Sequence, residues 1–181
     1  MILNRLFGRI PVSTPQRRLY EAIVAQARQP WLYAEAGVPD TLEGRFDMVV
    51  LHAVLVIDRL GGESELARDF AQRVFDEMFR DMEASLREMG VGDLSVGRRM
   101  KQMAEAFYGR SRAYGQAFEQ EDEARRQALA AALSRNVFAG AEAEAATLLA
   151  EYVLQVRNKL ARQPAAQLLT GDAGFGPAMP S

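Results

Sequence analysis

The stretch MVVLHAVLVI, Met48–Ile57, constrains the fold of this chain more than any other. Thr41 can cap a helix ahead of it, and Gly61–Gly62 can end that helix at about Leu60. At about 100° per residue, the apolar side chains after Val50 surround the helix axis instead of keeping to one stripe. A helix of that kind is buried on most sides, so other elements must pack around it. It cannot cross a bilayer, which needs about 20 apolar residues in a row.

The surrounding elements read as helices. No run alternates cleanly with period two between turn residues, whereas helical spacing with caps recurs. Thr14–Pro15 is an N-cap and first helical position, opening a helix to about Gln29, with Pro30 as its breaker. WLYAEAG is a short helical piece ending at Gly37. Ser64–Met89 reads as one long helix, paired with the central one, and Gly90 stands where a left-handed cap belongs. Ser95 is expected to cap the next helix, Asp122 opens one to about Arg135, and Ala141–Gln163 is the last. The expectation is an all-α, single-domain bundle of about six or seven helices. A short N-terminal arm over 1–13 precedes the helical domain at 14–163, and a loose, disordered tail over 164–181 follows it.

Composition narrows the function. The net charge of −2 argues against a nucleic-acid binder. With no cysteine and the single histidine His52, no metal site is expected and thiolate chemistry is excluded. No cofactor and no catalytic residue is predicted. The N-terminus lacks the apolar core of a signal peptide, so a cytoplasmic protein is expected.

The polar residues of the central helix fall in two narrow stripes. Arg45, His52 and Arg59 lie near one line, and Asp47 and Asp58 near another. Buried charges must be paired. These residues therefore bond to neighbouring helices, or Arg45, His52 and Arg59 line a polar pocket for an anionic headgroup or peptide. No acidic orienter or nucleophile accompanies His52 in the sequence.

On the long helix, Ala67, Phe70, Ala71, Val74 and Met78 centre a broad apolar face, and Phe75, Phe79, Met82 and Leu86 form one edge. That edge is core or, if exposed, a groove for a partner helix. The stretch MGVGDLSVGRRMKQMAEAFYGR, from Met89 to Arg110, looks at first like a basic phosphate cradle. It has neither the glycine-loop length nor the Gly-Lys-Ser/Thr ending of a P-loop, and it follows a helix rather than a strand. On a wheel, Val96, Met100, Met103 and Phe107 share the inward face. Arg98, Lys101, Glu105 and Tyr108 point away from it, while Arg99 and Arg110 lie on a flank.

LYAEAGVPDTLEGRFDMVVLHAVLVIDRL, followed by a long helix and then GVGDLSVGRRMKQMAEAFYGR, resembles the ubiquinol–cytochrome c chaperone family over roughly Trp31–Arg162. The first motif carries Gly37, Asp40, Thr41, Gly44, Arg45, Phe46, Asp47 and His52. The second carries Gly90, Gly92, Asp93, Lys101, Phe107, Tyr108, Gly109 and Arg110. The resemblance implies a non-enzymatic, all-helical assembly factor. Mitochondrial members bind newly made cytochrome b for the cytochrome bc1 complex, with a small partner protein and near the ribosome. The chain begins directly at the domain, without a long targeting extension, which implies a bacterial relative. The expected partner is cytochrome b, an apolar membrane-protein client, with contact to the inner face of the cell membrane. Candidate partner-binding residues are Phe75, Phe79, Met82, Leu86, Arg98, Lys101, Tyr108 and Arg110. The alternative is a lipid- or quinone-binding helical protein at the membrane surface, with Arg45, His52 and Arg59 as its pocket.

Overall fold

A computed structural model describes residues 13–176. The arm expected over 1–13 therefore lies, Ser13 apart, outside the described residues. Within them the protein is all-α, with six long helices and two of five residues, so the expected architecture holds. The elements are α1 (Pro15–Ala27), α2 (Pro30–Ala34), α3 (Leu42–Gly61), α4 (Glu65–Glu88), α5 (Asp93–Phe118), α6 (Asp122–Val137), α7 (Ala143–Arg162) and α8 (Ala165–Leu169).

The caps set the boundaries. The hydroxyl oxygens of Thr14, Thr41 and Ser64 accept from the backbone N–H groups of Arg17, Gly44 and Ala67, satisfying otherwise orphaned donors at the starts of α1, α3 and α4. At the end of α4, Val91 N–H bonds to Leu86 O and Gly90 N–H to Arg87 O. This is the Schellman pattern, and it needs the left-handed φ of +78° that Gly90 adopts. The α5 cap differs from the expectation. Gly92, not Ser95, is the N-cap, and the Ser95 N–H is already bonded to Gly92 O inside the first turn. Asp93 then sits at the N-terminus, where its negative charge suits the helix dipole, and it also pairs with Arg87.

The all-round apolar helix is the centre of the bundle. α3 packs against α1, α4, α5, α6 and α7. Val50, Leu51, Val56 and Leu60 are fully buried. Each large apolar side chain removed from water in this way contributes roughly 1.5–3 kcal/mol. The broad face of α4 is core as expected, from Ala67 through Phe70, Ala71, Val74 and Met78.

The tail departs from the expectation. Residues 164–176 are not loose: α8 follows Pro164, and Leu168, Ala173 and Phe175 are buried. Arg18 Nη2 donates to Thr170 O (2.7 Å), and Gln163 Nε2 donates to Gly174 O (3.0 Å). The composition of this segment is low in hydrophobic periodicity, but three apolar anchors and borrowed hydrogen bonds hold it on the bundle.

Candidate functional site

The polar stripe of α3 does not assemble into one pocket. His52 is fully buried. Its Nδ1 lies 2.7 Å from Met48 O, so that nitrogen carries the hydrogen, and its Nε2, 2.7 Å from the Tyr152 hydroxyl, accepts. Tyr152 in turn accepts from Gln26 Nε2 at 2.9 Å. The chain Gln26–Tyr152–His52–Met48 is thus satisfied at every link and needs a neutral imidazole. Burial pushes His52 down to about 4, against the opposing pull of its bond to Met48 O. Burial likewise pushes Tyr152 up to about 12. Phe175 closes the site edge-on, 5.8 Å from the imidazole centroid.

The two arginines of the stripe go elsewhere. Arg59 donates to Leu160 O (3.0 Å) and Gln163 O (2.9 Å), capping the end of α7, and also pairs with Glu63. Arg45 is exposed and pairs with Asp40 at 2.6 Å. Asp58 lies 3.6 Å from Arg157, whose guanidinium stacks on Phe118. Asp47 faces Arg110 Nη2 at 2.6 Å and is almost wholly buried. Its Oδ1 nevertheless lacks a well-aligned hydrogen bond, as does Arg110 Nε. Burial drives the Asp47 carboxyl up to about 6, against the lowering effect of Arg110. Arg110 therefore points inward and ties α5 to α3.

The edge of α4 splits in two. Phe75 and Phe79 stack on each other with centroids 4.4 Å apart, and Phe107 meets Phe75 edge-on at 4.9 Å. Tyr108 covers this cluster from outside, 5.9 Å from Phe75, and stays 61% exposed. Arg98, Lys101 and Glu105 stand in solvent on the same helix, with Lys101 only loosely paired to Glu105 at 3.8 Å. Leu94, one turn before Arg98, is 93% exposed.

Met82 and Leu86 face a different feature. They form the floor of an open groove between α1, α3, α4 and α5. Its middle is a cleft of about 230 Å³, walled by Val24, Phe46, Val49 and Met103, with Leu42 and Met89 on its lips. A second hollow of about 430 Å³ shares Leu42, Phe46, Leu86 and Met103 and runs on to Arg99 and Arg110. Leu42 and Met89 are each more than half exposed. Of the candidates named from sequence, only Met82, Leu86, Arg45 and Arg110 border this groove. Leu42, Phe46 and Val49, at spacing i, i+4, i+7, went unrecognised as its wall. That spacing is a legible stripe on the first half of α3, overshadowed by the denser apolar run after it.

Among the described residues, no helix is long and apolar enough to cross a membrane. The chain matches the family described as ubiquinol-cytochrome C chaperone over residues 34–175. It is similar to the ubiquinol-cytochrome-c reductase complex assembly factor 1 of Xenopus laevis, with 26% identity over 120 residues. That match covers 66% of this chain and 58% of the relative. It is also similar to the crystal structure of the Cbp3 homolog from Brucella abortus, with 44% identity and a TM-score of 0.80, covering 91% of this chain and 90% of that one. The match over residues 34–175 takes in the first motif from Ala34 onward, the whole of the second, and every helix that walls the groove except α1, and on that extent the chain belongs to the ubiquinol–cytochrome c chaperone family.

Proposed function

We propose that this protein is a non-catalytic chaperone in assembly of the ubiquinol–cytochrome c reductase complex, and that it holds an apolar segment of newly made cytochrome b in the groove. The observation that carries this reading is the groove itself. The domain leaves Leu42, Phe46, Val49, Leu86, Met89 and Met103 around an open cleft that continues into a second hollow. Covering apolar surface contributes about 25 cal/mol per Å², so a membrane-protein segment gains by lying there until it inserts. Methionines on the wall adapt to side chains of varied shape, which suits a transient client. His52, sealed inside and committed to Met48 and Tyr152, supports a role without catalysis.

The outer face of α5 supplies a second contact. Arg98 and Lys101, with exposed Leu94 and Tyr108, form a basic rim with apolar tips. Such a rim steers acidic client loops or the anionic inner face of the cell membrane, each exposed charge contributing weakly. The protein then works as a peripheral factor on the cytoplasmic side.

The test is crosslinking and pull-down from gently solubilised native membranes. Cytochrome b should be enriched with the wild type and lost with Phe46→Asp, while the melting curve remains cooperative. Absence of enrichment with the wild type sinks the reading. Reversing charge at Arg98 and Lys101 together should weaken capture several-fold. Unchanged capture removes the α5 rim from the docking surface and leaves the groove.

A further inference from the structure

The groove is not symmetric in charge. At one end it opens into a polar hollow of about 680 Å³ formed by Arg28, Pro30, Tyr33, Ala34, Asp40 and Arg45. Arg28 and Arg45 line both this hollow and the apolar cleft, so they stand at the junction. Arg45 is already neutralised by Asp40 at 2.6 Å. The Tyr33 hydroxyl is also committed, donating to Ala27 O at 2.7 Å. Arg28 has no ion pair among the described residues and is exposed. It is the uncompensated charge of this end. The carboxylate that lines the cleft, Asp81, accepts from the Tyr20 hydroxyl at 2.8 Å and lies 3.6 Å from Arg17, a guanidinium it shares with Glu21 and Glu77 on the side away from Arg28. At the far end the lining charges sum to zero: Asp47 pairs with Arg110, while Glu43 and Arg99 line the same hollow without an ion pair between them.

We infer that the groove takes an apolar helical segment in one direction, with the segment's C-terminal, acidic end held at Arg28. This inference rests on the chaperone reading of the groove and adds the polarity and charge of its client. Two physical effects act together at that end. An acidic side chain finds the free guanidinium, and the partial negative charge at a helix C-terminus finds the same group. A balanced far end offers no such preference. A single lipid fits the observations less well, because the cleft is an open trough with exposed lips rather than an enclosed cavity that covers most of its ligand. An open apolar trough with Met82, Met89 and Met103 on its wall and lip matches a helix laid in a groove. Arg28 also caps the C-terminus of α1, which adds to stability whatever the groove holds. That contribution appears in the melting temperature, not in a preference for one end of a ligand.

The test uses three fluorescent amphipathic peptides of Leu, Ala and Gln, about 18 residues and so about five turns long. One carries two Glu at its C-terminal end, one carries them at its N-terminal end, and one carries two Lys at its C-terminal end. Binding to the full chain is read by fluorescence anisotropy. The wild type should bind the C-terminal Glu peptide about fivefold tighter than either of the others, and Arg28→Glu should reverse its advantage over the Lys peptide. Leu42→Asp should weaken all three alike. Equal affinities, or a preference that survives Arg28→Glu, overturn the inference. Displacement of the peptide by phosphatidylglycerol vesicles but not by phosphatidylcholine vesicles also overturns it and makes the hollow a headgroup site. The two readings fail separately. If Leu42→Asp abolishes cytochrome b capture while the peptides show no Arg28-dependent preference, the groove stands and its polarity falls. If none of the peptides binds and Leu42→Asp leaves capture intact, the groove itself is wrong.

Discussion

The two halves of α3 belong to one helix and end in opposite environments. Around His52 every polar group has a partner and Phe175 closes the outside. Around Leu42, Phe46 and Val49 the side chains are apolar, yet no helix covers them fully. The half that looked chemical, with the histidine, has its polar groups bonded inside the bundle. The half that looked like an ordinary helix start is the open one. A polar residue inside a fold signals packing when its bonds are complete. An apolar residue signals a partner when its surroundings stop short.

That contrast can be broken most sharply at His52. His52→Ala removes a link of the buried chain, leaving the Tyr152 hydroxyl without its acceptor and a void beside Phe175. A loss of about 3 kcal/mol is expected in urea unfolding, with peptide binding per folded molecule unchanged. A binding defect with normal stability would place function at His52 after all. Gly44→Ala comes next. A Cβ there would collide with Pro39 O, so the 38–40 loop or the start of α3 must shift. The expected cost is about 2 kcal/mol, read from the thermal melt, together with a weaker groove because Leu42 and Phe46 move with that turn. Leu42→Asp should lie at the small end. Leu42 is 58% exposed, so stability should change by no more than about 0.5 kcal/mol while peptide affinity falls several-fold. Equal losses in both measurements would make Leu42 part of the core and erase the contrast.

Acid titration separates the same regions by sign. His52 is held down, to about 4 from a usual 6.5, so it stays neutral in the folded state while the unfolded chain binds a proton. Its contribution is fully present above about 6.5 and is lost as pH falls toward 4. Asp47 is held up, to about 6 from a usual 3.8, so its contribution is present below about 3.8 and is lost as pH rises through 6. Between pH 4 and 6 the two slopes oppose each other, each approaching about 1.4 kcal/mol per pH unit where its proton difference is complete. Denaturation of Asp47→Asn across this range should therefore show a steeper loss toward acid than the wild type, whatever its absolute stability. A slope unchanged by the substitution would mean that the Arg110 contact keeps Asp47 ionised throughout.

Much of the fold was legible in sequence for reasons of local physics. Thr14 and Thr41 were readable as caps because a hydroxyl two or three residues before a helical donor bonds within its own turn. The all-round apolar run of α3 could only be satisfied at the centre of a bundle. The tail was misread because its anchors, Leu168, Ala173 and Phe175, are isolated apolar residues whose partners lie far away in the chain. Ser95 was misread as a cap because Gly92 offers no side-chain signal and is recognised only by its extended backbone.

The sequence by itself determined that this chain is helical, where most helices begin, and which helix lies inside. Those follow from contacts within one or two turns. Only the tertiary structure decided that Arg45, His52 and Arg59 part company, that Arg110 turns inward to Asp47, and that Arg28, without an ion pair among the described residues, stands beside an apolar trough. Each of those depends on side chains supplied by other helices, and a wheel drawn for one helix contains no information about its neighbours.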